Sequence, residues 1–243
     1  MPCWTRLLSY HTMIMMLTTM RRTILTSAFR PPPLLSRLTT RLLGSKVAPG
    51  NPPGAIHLFD EQMSLKVDKN RLKQTLTKIR ECIGYPTYDI TLVLVNDKGM
   101  RTQHLESLGE DRPTDILSYP FHNAIKPGVL EPVKFDIPDY YTLGEIYVDV
   151  PYVMRACKED QAIINGENDE YDYNEEEDRG VSRAMFREMN PETRINMLLV
   201  HGMLHLVGHD HEEDDEYELM MAREEEILRE LGMAANSGQV STG

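Results

Sequence analysis

Four of the chain's eight histidines fall within eleven residues, His201-Gly-Met-Leu-His205-Leu-Val-Gly208-His209-Asp210-His211. The run reads as three imidazoles set around one divalent ion. Two histidines four apart on a helix share a face, one turn above the other, so both rings reach the same point. Gly208 can take the left-handed conformation that stops a helix, letting the chain turn and return His211 as third ligand. Three neutral nitrogens with an open fourth position describe a catalytic zinc site, whereas a structural site closes with four protein ligands. Zinc held this way lowers the pKa of its water from ~15.7 to roughly 7 and polarises a phosphoryl oxygen. His209 continues the four-residue series from His205 and competes with His211. The helix stop at Gly208 favours His211.

The spacing H-x-x-x-H-x-x-G-x-x-H is that of the metzincin proteases, whose pattern places Glu directly after the first histidine as general base. Here that position is Gly202, which cannot accept a proton. A cage for the metal is present and the base of peptide hydrolysis is not, so a protease is the weaker alternative. Asp210 can orient a ligand imidazole, take a proton, or cap the turn after the helix.

Three blocks, in order, carry a resemblance. Arg112-Pro-Thr-Asp-Ile-Leu-Ser-Tyr-Pro-Phe121 is similar to the P-T-D-V-L-S-F-P segment of the YbeY family of zinc-dependent endoribonucleases, which act in ribosomal RNA maturation. Leu143-Gly-Glu-Ile146 resembles that family's L-G-D-I strand, and His201 to Met233 its C-terminal part. The likeness spans roughly Ala55 to Met233. It implies zinc on His201, His205 and His211, a single-stranded RNA substrate, and ribosomal RNA or the small ribosomal subunit as partner. The sequence departs from the family pattern at two places. Leu108 stands where an Arg usually precedes P-T-D by five residues, and His209 where an aromatic often follows the motif glycine. Arg112 and Arg101 are the nearest cations to stand in.

Arg112, Thr114 and Ser118 are candidate phosphate-binding residues, and Asp210 is the candidate proton carrier. Asp115, Thr114 and Ser118 are more at home holding turns, with Asp115 a further candidate for holding substrate. The attacking oxygen is either water or the substrate's own 2′-hydroxyl; the residues leave both open. A different class of function is a ribosome-assembly binding factor whose metal only stabilises the fold. Leu108 and the acidic composition speak for it.

The elements that must position these residues begin late in the chain. No Asp or Glu precedes Asp60, while Arg6, Arg21, Arg22, Arg30, Arg37, Arg41 and Lys46 lie among Ser, Thr and Leu. That is the composition of a mitochondrial or plastid transit peptide, the alternative being a basic arm that touches RNA. Pro31-Pro-Pro33 and Pro49-Gly-Asn-Pro-Pro-Gly54 read as linker. Residues 1–54 are therefore expected to be leader and linker, and 55–233 the folded domain. The apolar run Met13 to Leu17 is too short for a bilayer span. Removing the leader takes seven positive charges from a net −12 and leaves −19 for residues 47–243. Phosphate binding normally asks for a basic footprint. Part of the excess is local: residues 167–178 carry eight acids and suggest a solvated insertion over about 166–182. Residues 234–243 read as a flexible tail. Cys3, Cys82 and Cys157 are too widely spaced for a disulfide framework.

Within 55–233 strands alternate with helices, predicting an α+β fold with one mixed β-sheet packed with helices. Strands are expected at Ala55–Phe59, in part Leu65–Val67, Tyr88–Val95, Ile116–Phe121 at a sheet edge, and Leu143–Val150. Helices are expected from an Asp68 cap to Gly84, over Asp97–Leu108, Pro151–Ile164, and Asp214–Leu231. His122–Tyr141, with three prolines, reads as a long loop. Asn190 caps a helix that opens on Pro191, and its dense apolar content predicts burial. The metal site then stands at the end of a buried, rigid helix.

Overall fold

The computed structural model describes residues 52–167 and 179–233. The expected leader, most of the acidic insertion and the tail after Met233 lie outside the described residues. In chain order the elements are β1 (Ile56–Asp60), α1 (Lys69–Cys82), β2 (Asp89–Val95), α2 (Asp97–Leu108) and β3 (Ile116–Pro120). The short strands β4 (Ala124–Lys126) and β5 (Val129–Leu130) follow, then a 3-10 turn at Pro138–Tyr140 and β6 (Thr142–Asp149). Helices α3 (Val150–Ile164), α4 (Gly180–Phe186), α5 (Pro191–Leu206) and α6 (Asp214–Glu230) complete the domain.

The fold is α+β. Its four-stranded sheet has the order β1-β2-β6-β3, with β1, β2 and β6 parallel and β3 antiparallel to β6. β3 sits at an edge, as Pro120 at its end requires. Side-chain alternation along the central strands assigns the two faces. Ile90, Leu92, Leu94, Ile146 and Val148 enter the large core with Leu72, Leu76 and Ile79 of α1 and Ile195, Leu199 and Met203 of α5. Val93, Val95 and Leu117 meet Met100 of α2 in a smaller cluster on the opposite face.

Helix α5 is the centre of the packing. Asn190 caps it by accepting from the N–H groups of Glu192 and Thr193, with Pro191 in the first turn. Twelve of its sixteen residues are buried, including Arg194. A buried guanidinium is tolerated only when paired. Here it donates to Asp160 Oδ2 at 2.6 Å and to the Glu188 carbonyl at 2.5 Å. The helix stops where the sequence said it would, at Gly208 with φ +81°. A Cβ there would lie 2.1 Å from Ala124 Cβ, so glycine is required for space as well as for conformation.

Three expectations are corrected. Residues 65–67 form no strand, and the buried Gln62 side chain takes the backbone groups of Ser64 and Leu65 that would open one. It donates to the Leu65 carbonyl at 2.8 Å and accepts from the N–H groups of Ser64 and Leu65. The expected loop 122–141 contains the β4–β5 hairpin, pinned by Tyr85. That hydroxyl accepts from Leu130 N at 2.9 Å and donates to the Gly128 carbonyl at 3.3 Å. Helix α4 begins at Gly180, inside the span assigned to the insertion. Among the described residues no helix is long and apolar enough to cross a membrane, and Cys82 and Cys157 are free thiols.

Asp149 ends β6 and caps α3 by accepting from Tyr152 N. It is fully buried, and its Oδ2 has no hydrogen-bond partner among the described residues. Burial first, then the charges of Asp97 and Asp115, push its carboxyl up to about 7, against the Tyr152 N–H and Arg155. A folded-state value above the unfolded one means the folded state holds the extra proton between about pH 4 and 7. Stability therefore falls as pH rises through that window. Asp149→Asn keeps the capping oxygen and removes the charge. Chemical denaturation should show the variant gaining roughly 1–3 kcal/mol over wild type between pH 5 and pH 8. A difference independent of pH would exclude this role.

Candidate metal centre

The histidines converge as the motif spacing predicted. His201 and His205 lie on one face of α5 with Nε2 atoms 3.1 Å apart, and the chain reversal at Gly208 brings His211 to both. Ring centroids stand 4.6 Å apart for His201 and His205, 5.5 Å for His201 and His211, and 5.3 Å for His205 and His211. One nitrogen from each ring lies within 4.8 Å of the others. Nitrogens bound to one tetrahedral ion at ~2.0–2.1 Å are separated by roughly 3.3 Å. The first pair already stands near that spacing. The three together can hold a metal ion.

The proton inventory fits such an ion. His201 Nδ1 donates to Glu224 Oε1 at 2.7 Å, so the neutral ring keeps its lone pair at Nε2, facing His205. His205 is held well below the ordinary imidazole range, by burial first and then by His201 and His211. A neutral His205 keeps a ring lone pair for a cation.

Glu224 was not foreseen. Fully buried on α6, it stands on the same stripe as Met220, Met221, Ile227 and Leu228. An acid on an apolar stripe was the available signal, since a buried carboxylate must have partners. It has two: His201, and the Val181 N–H at 2.8 Å to Oε2. The start of α4 is shaped around it. Gly180 has φ +62°, and a Cβ there would lie 2.2 Å from Glu224 Oε2. Arg179 adds ion pairs to Glu218 and, at 3.2 Å, to Glu225.

Other expected residues take varied positions. Asp210 Oδ1 accepts from His211 N at 2.8 Å, bracing the turn that presents the third ring, and burial raises its carboxyl above the usual range. His209 turns from the trio toward the hairpin, its Nε2 3.6 Å from where a Gly128 Cβ would be. Burial, with Arg223 adding to it, lowers its pKa to about 4. Gly202 faces the sheet: a Cβ would meet Ile116 Cδ1 at 2.8 Å and Ser118 Oγ at 2.9 Å. The position of the protease base is thus inside the packing, with no room for a glutamate. Ser118 lies beside the helix turn that bears His201. Asp115 is buried, accepting from Ile116 N at 2.9 Å and from Thr114 Oγ1 at 3.3 Å. Thr114 is buried too, so its hydroxyl braces this turn. Arg112 donates to Glu110 Oε2 at 2.6 Å, and its carbonyl is held by His104 Nδ1 at 2.8 Å. Arg101 pairs with Asp111 at 2.7 Å. Leu108 packs in the small cluster on the sheet face away from α5.

The chain is similar to known proteins. The family described as Endoribonuclease YbeY matches residues 57–172 and 178–232. A human protein named Endoribonuclease YbeY is 29% identical over 173 residues, covering 70% of this chain and 84% of its own. One of the same name from Heliobacterium modesticaldum is 33% identical over 167 residues, covering 67% and 82%. A solution structure of a Thermotoga maritima protein is 20% identical, covering 76% of this chain and 99% of its own, with a TM-score of 0.37.

Removing a carboxylate that orients a ligand imidazole weakens metal binding by about 10–100-fold. Glu224→Gln should do so here, read by competition with a chromophoric chelator and with unchanged circular dichroism. Wild-type affinity in that variant would dismiss the orienting role.

Proposed function

The chain belongs to the YbeY endoribonuclease family, and from that premise we propose a zinc-dependent hydrolase that cuts single-stranded RNA. The observation that carries the reading is the convergence of His201, His205 and His211 as lone-pair donors at the end of a buried helix. These three residues would hold the ion. When bound, it supplies Lewis acidity, acidifying water and drawing charge from a phosphoryl oxygen.

The rest falls to side chains. Glu224 fixes the plane and tautomer of His201. Asp210 is assigned the proton transfer: it accepts from His211 N beside the trio, and burial raises its carboxyl above the ordinary carboxylate range. Ser118 offers a hydroxyl beside His201, and Arg112 a half-exposed guanidinium that must trade Glu110 for phosphate. Thr114 serves by holding Asp115. Packing of Gly202 against β3 disfavours the protease reading.

The substrate is taken to be ribosomal RNA of an organelle, met on the small ribosomal subunit. Residues 1–54 would form a mitochondrial leader and linker, with a plastid as the other destination. The catalytic domain would then be 55–233, with an acidic insertion and a short tail.

Purified protein should carry about one zinc and cleave a single-stranded RNA. His201→Ala should lose both the metal and at least ~100-fold of the rate, within the range assigned to such activation. Cleavage that survives loss of metal would end the zinc reading. RNA binding without cutting by the loaded protein would leave an assembly factor. A reporter fused to residues 1–60 should enter mitochondria; cytosolic fluorescence would refute the leader.

A further inference from the structure

The domain presents an unsolved electrostatic problem. Residues 47–243 carry −19, so phosphate contacts alone give an RNA strand little to hold. Stacking of bases on aromatic rings needs no net positive charge and is tolerant of sequence.

Exposed apolar side chains are concentrated in one place. Of the ten large ones among the described residues, five lie between 121 and 137: Phe121, Ile125, Val129, Phe135 and Ile137. Phe121 is 53% exposed and Phe135 61%. The rings are ordered with respect to one another. Phe121 meets Tyr140 edge to face at 6.2 Å, and Phe135 meets Tyr140 at 5.7 Å. His122 packs against Phe121 at 5.0 Å, and its Nε2 bonds the Tyr140 carbonyl at 2.8 Å, tying the two ends of the segment together. An array held this way loses little entropy when a planar group docks.

The same segment touches the metal loop. Gly128 N donates to the Val207 carbonyl at 3.0 Å, and Ala124 closes over Gly208. Phe121 is three residues from Ala124, a span of at most ~11 Å. That is the length of about three stacked bases at ~3.4 Å. Lys126 and Lys134 are answered by Glu131, Asp136 and Asp139 in this segment, so the patch suits bases better than phosphates.

We propose that Phe121, Phe135 and Tyr140 form a stacking platform that receives unpaired bases of the RNA beside the metal centre. The occupant is a single strand, whose bases have free faces. The proposal rests on the RNA-cleaving function above and adds where the strand lies.

The test measures anisotropy of a labelled mixed-sequence oligoribonucleotide with the full-length protein in a His201→Ala background, so that the probe stays whole. Phe121→Ala/Phe135→Ala should weaken binding tenfold or more, and Phe121→Tyr/Phe135→Tyr should restore it. An abasic probe of equal length should bind the parent as poorly as the alanine pair binds the normal probe. In the metal-competent protein the alanine pair should raise KM about tenfold at unchanged kcat, with melting temperature and metal content preserved. Equal affinity and equal KM in the alanine pair, while wild type binds and cuts RNA, would remove the platform and leave the catalytic reading intact. A wild type that neither binds nor cuts RNA would remove both.

Discussion

The hydrogen bond between His201 and Glu224 is the constraint around which this molecule is arranged. A carboxylate inside an apolar stripe is unfavourable unless every oxygen finds a donor. Glu224 finds one on α5 and one at the start of α4. Three helices are thereby tied to a single side chain. The bond also fixes which nitrogen of His201 faces the other rings. A requirement of burial and a requirement of metal chemistry are met by the same contact.

The sheet sets the surroundings of that contact. One face carries the large core that encloses α5, and the edge position of β3 leaves Asp115 and Ser118 next to the histidine helix. The opposite face is closed by α2 and a smaller cluster, against which the partly buried Leu108 packs. The two arginines closest in sequence to Leu108 are paired: Arg112 faces Glu110, and Arg101 faces Asp111. In an acidic domain, the proposed ion and ring faces would hold an anionic polymer by local interactions rather than by net charge.

Local chemistry made much of this readable in advance. Asp97 to Leu108 forms a helix closed by Gly109 because the Asn96 cap and the left-handed glycine act within a few residues. Asn190, Pro191 and Gly208 bound α5 in the same way, and the trio follows from helical spacing plus one chain reversal. What escaped depends on partners far along the chain. The β4–β5 hairpin needs Tyr85, forty-five residues before Leu130. Glu224 acquires its meaning from His201, twenty-three residues earlier. Helix α4 is only seven residues long and owes its place to the carboxylate it wraps. Asp210 was read as orienter, proton carrier or cap, and the contact it makes is with the turn that bears His211.

Gly180 has a consequence for how this chain can vary. Its backbone conformation and lack of a side chain are dictated by Glu224, so geometric demand begins abruptly there. Upstream, α3 ends at Ile164, and Arg179, next to this glycine, pairs with Glu225. Any side chain added at position 180 must displace that carboxylate, so a change there reaches the cation's support through the backbone of a different helix.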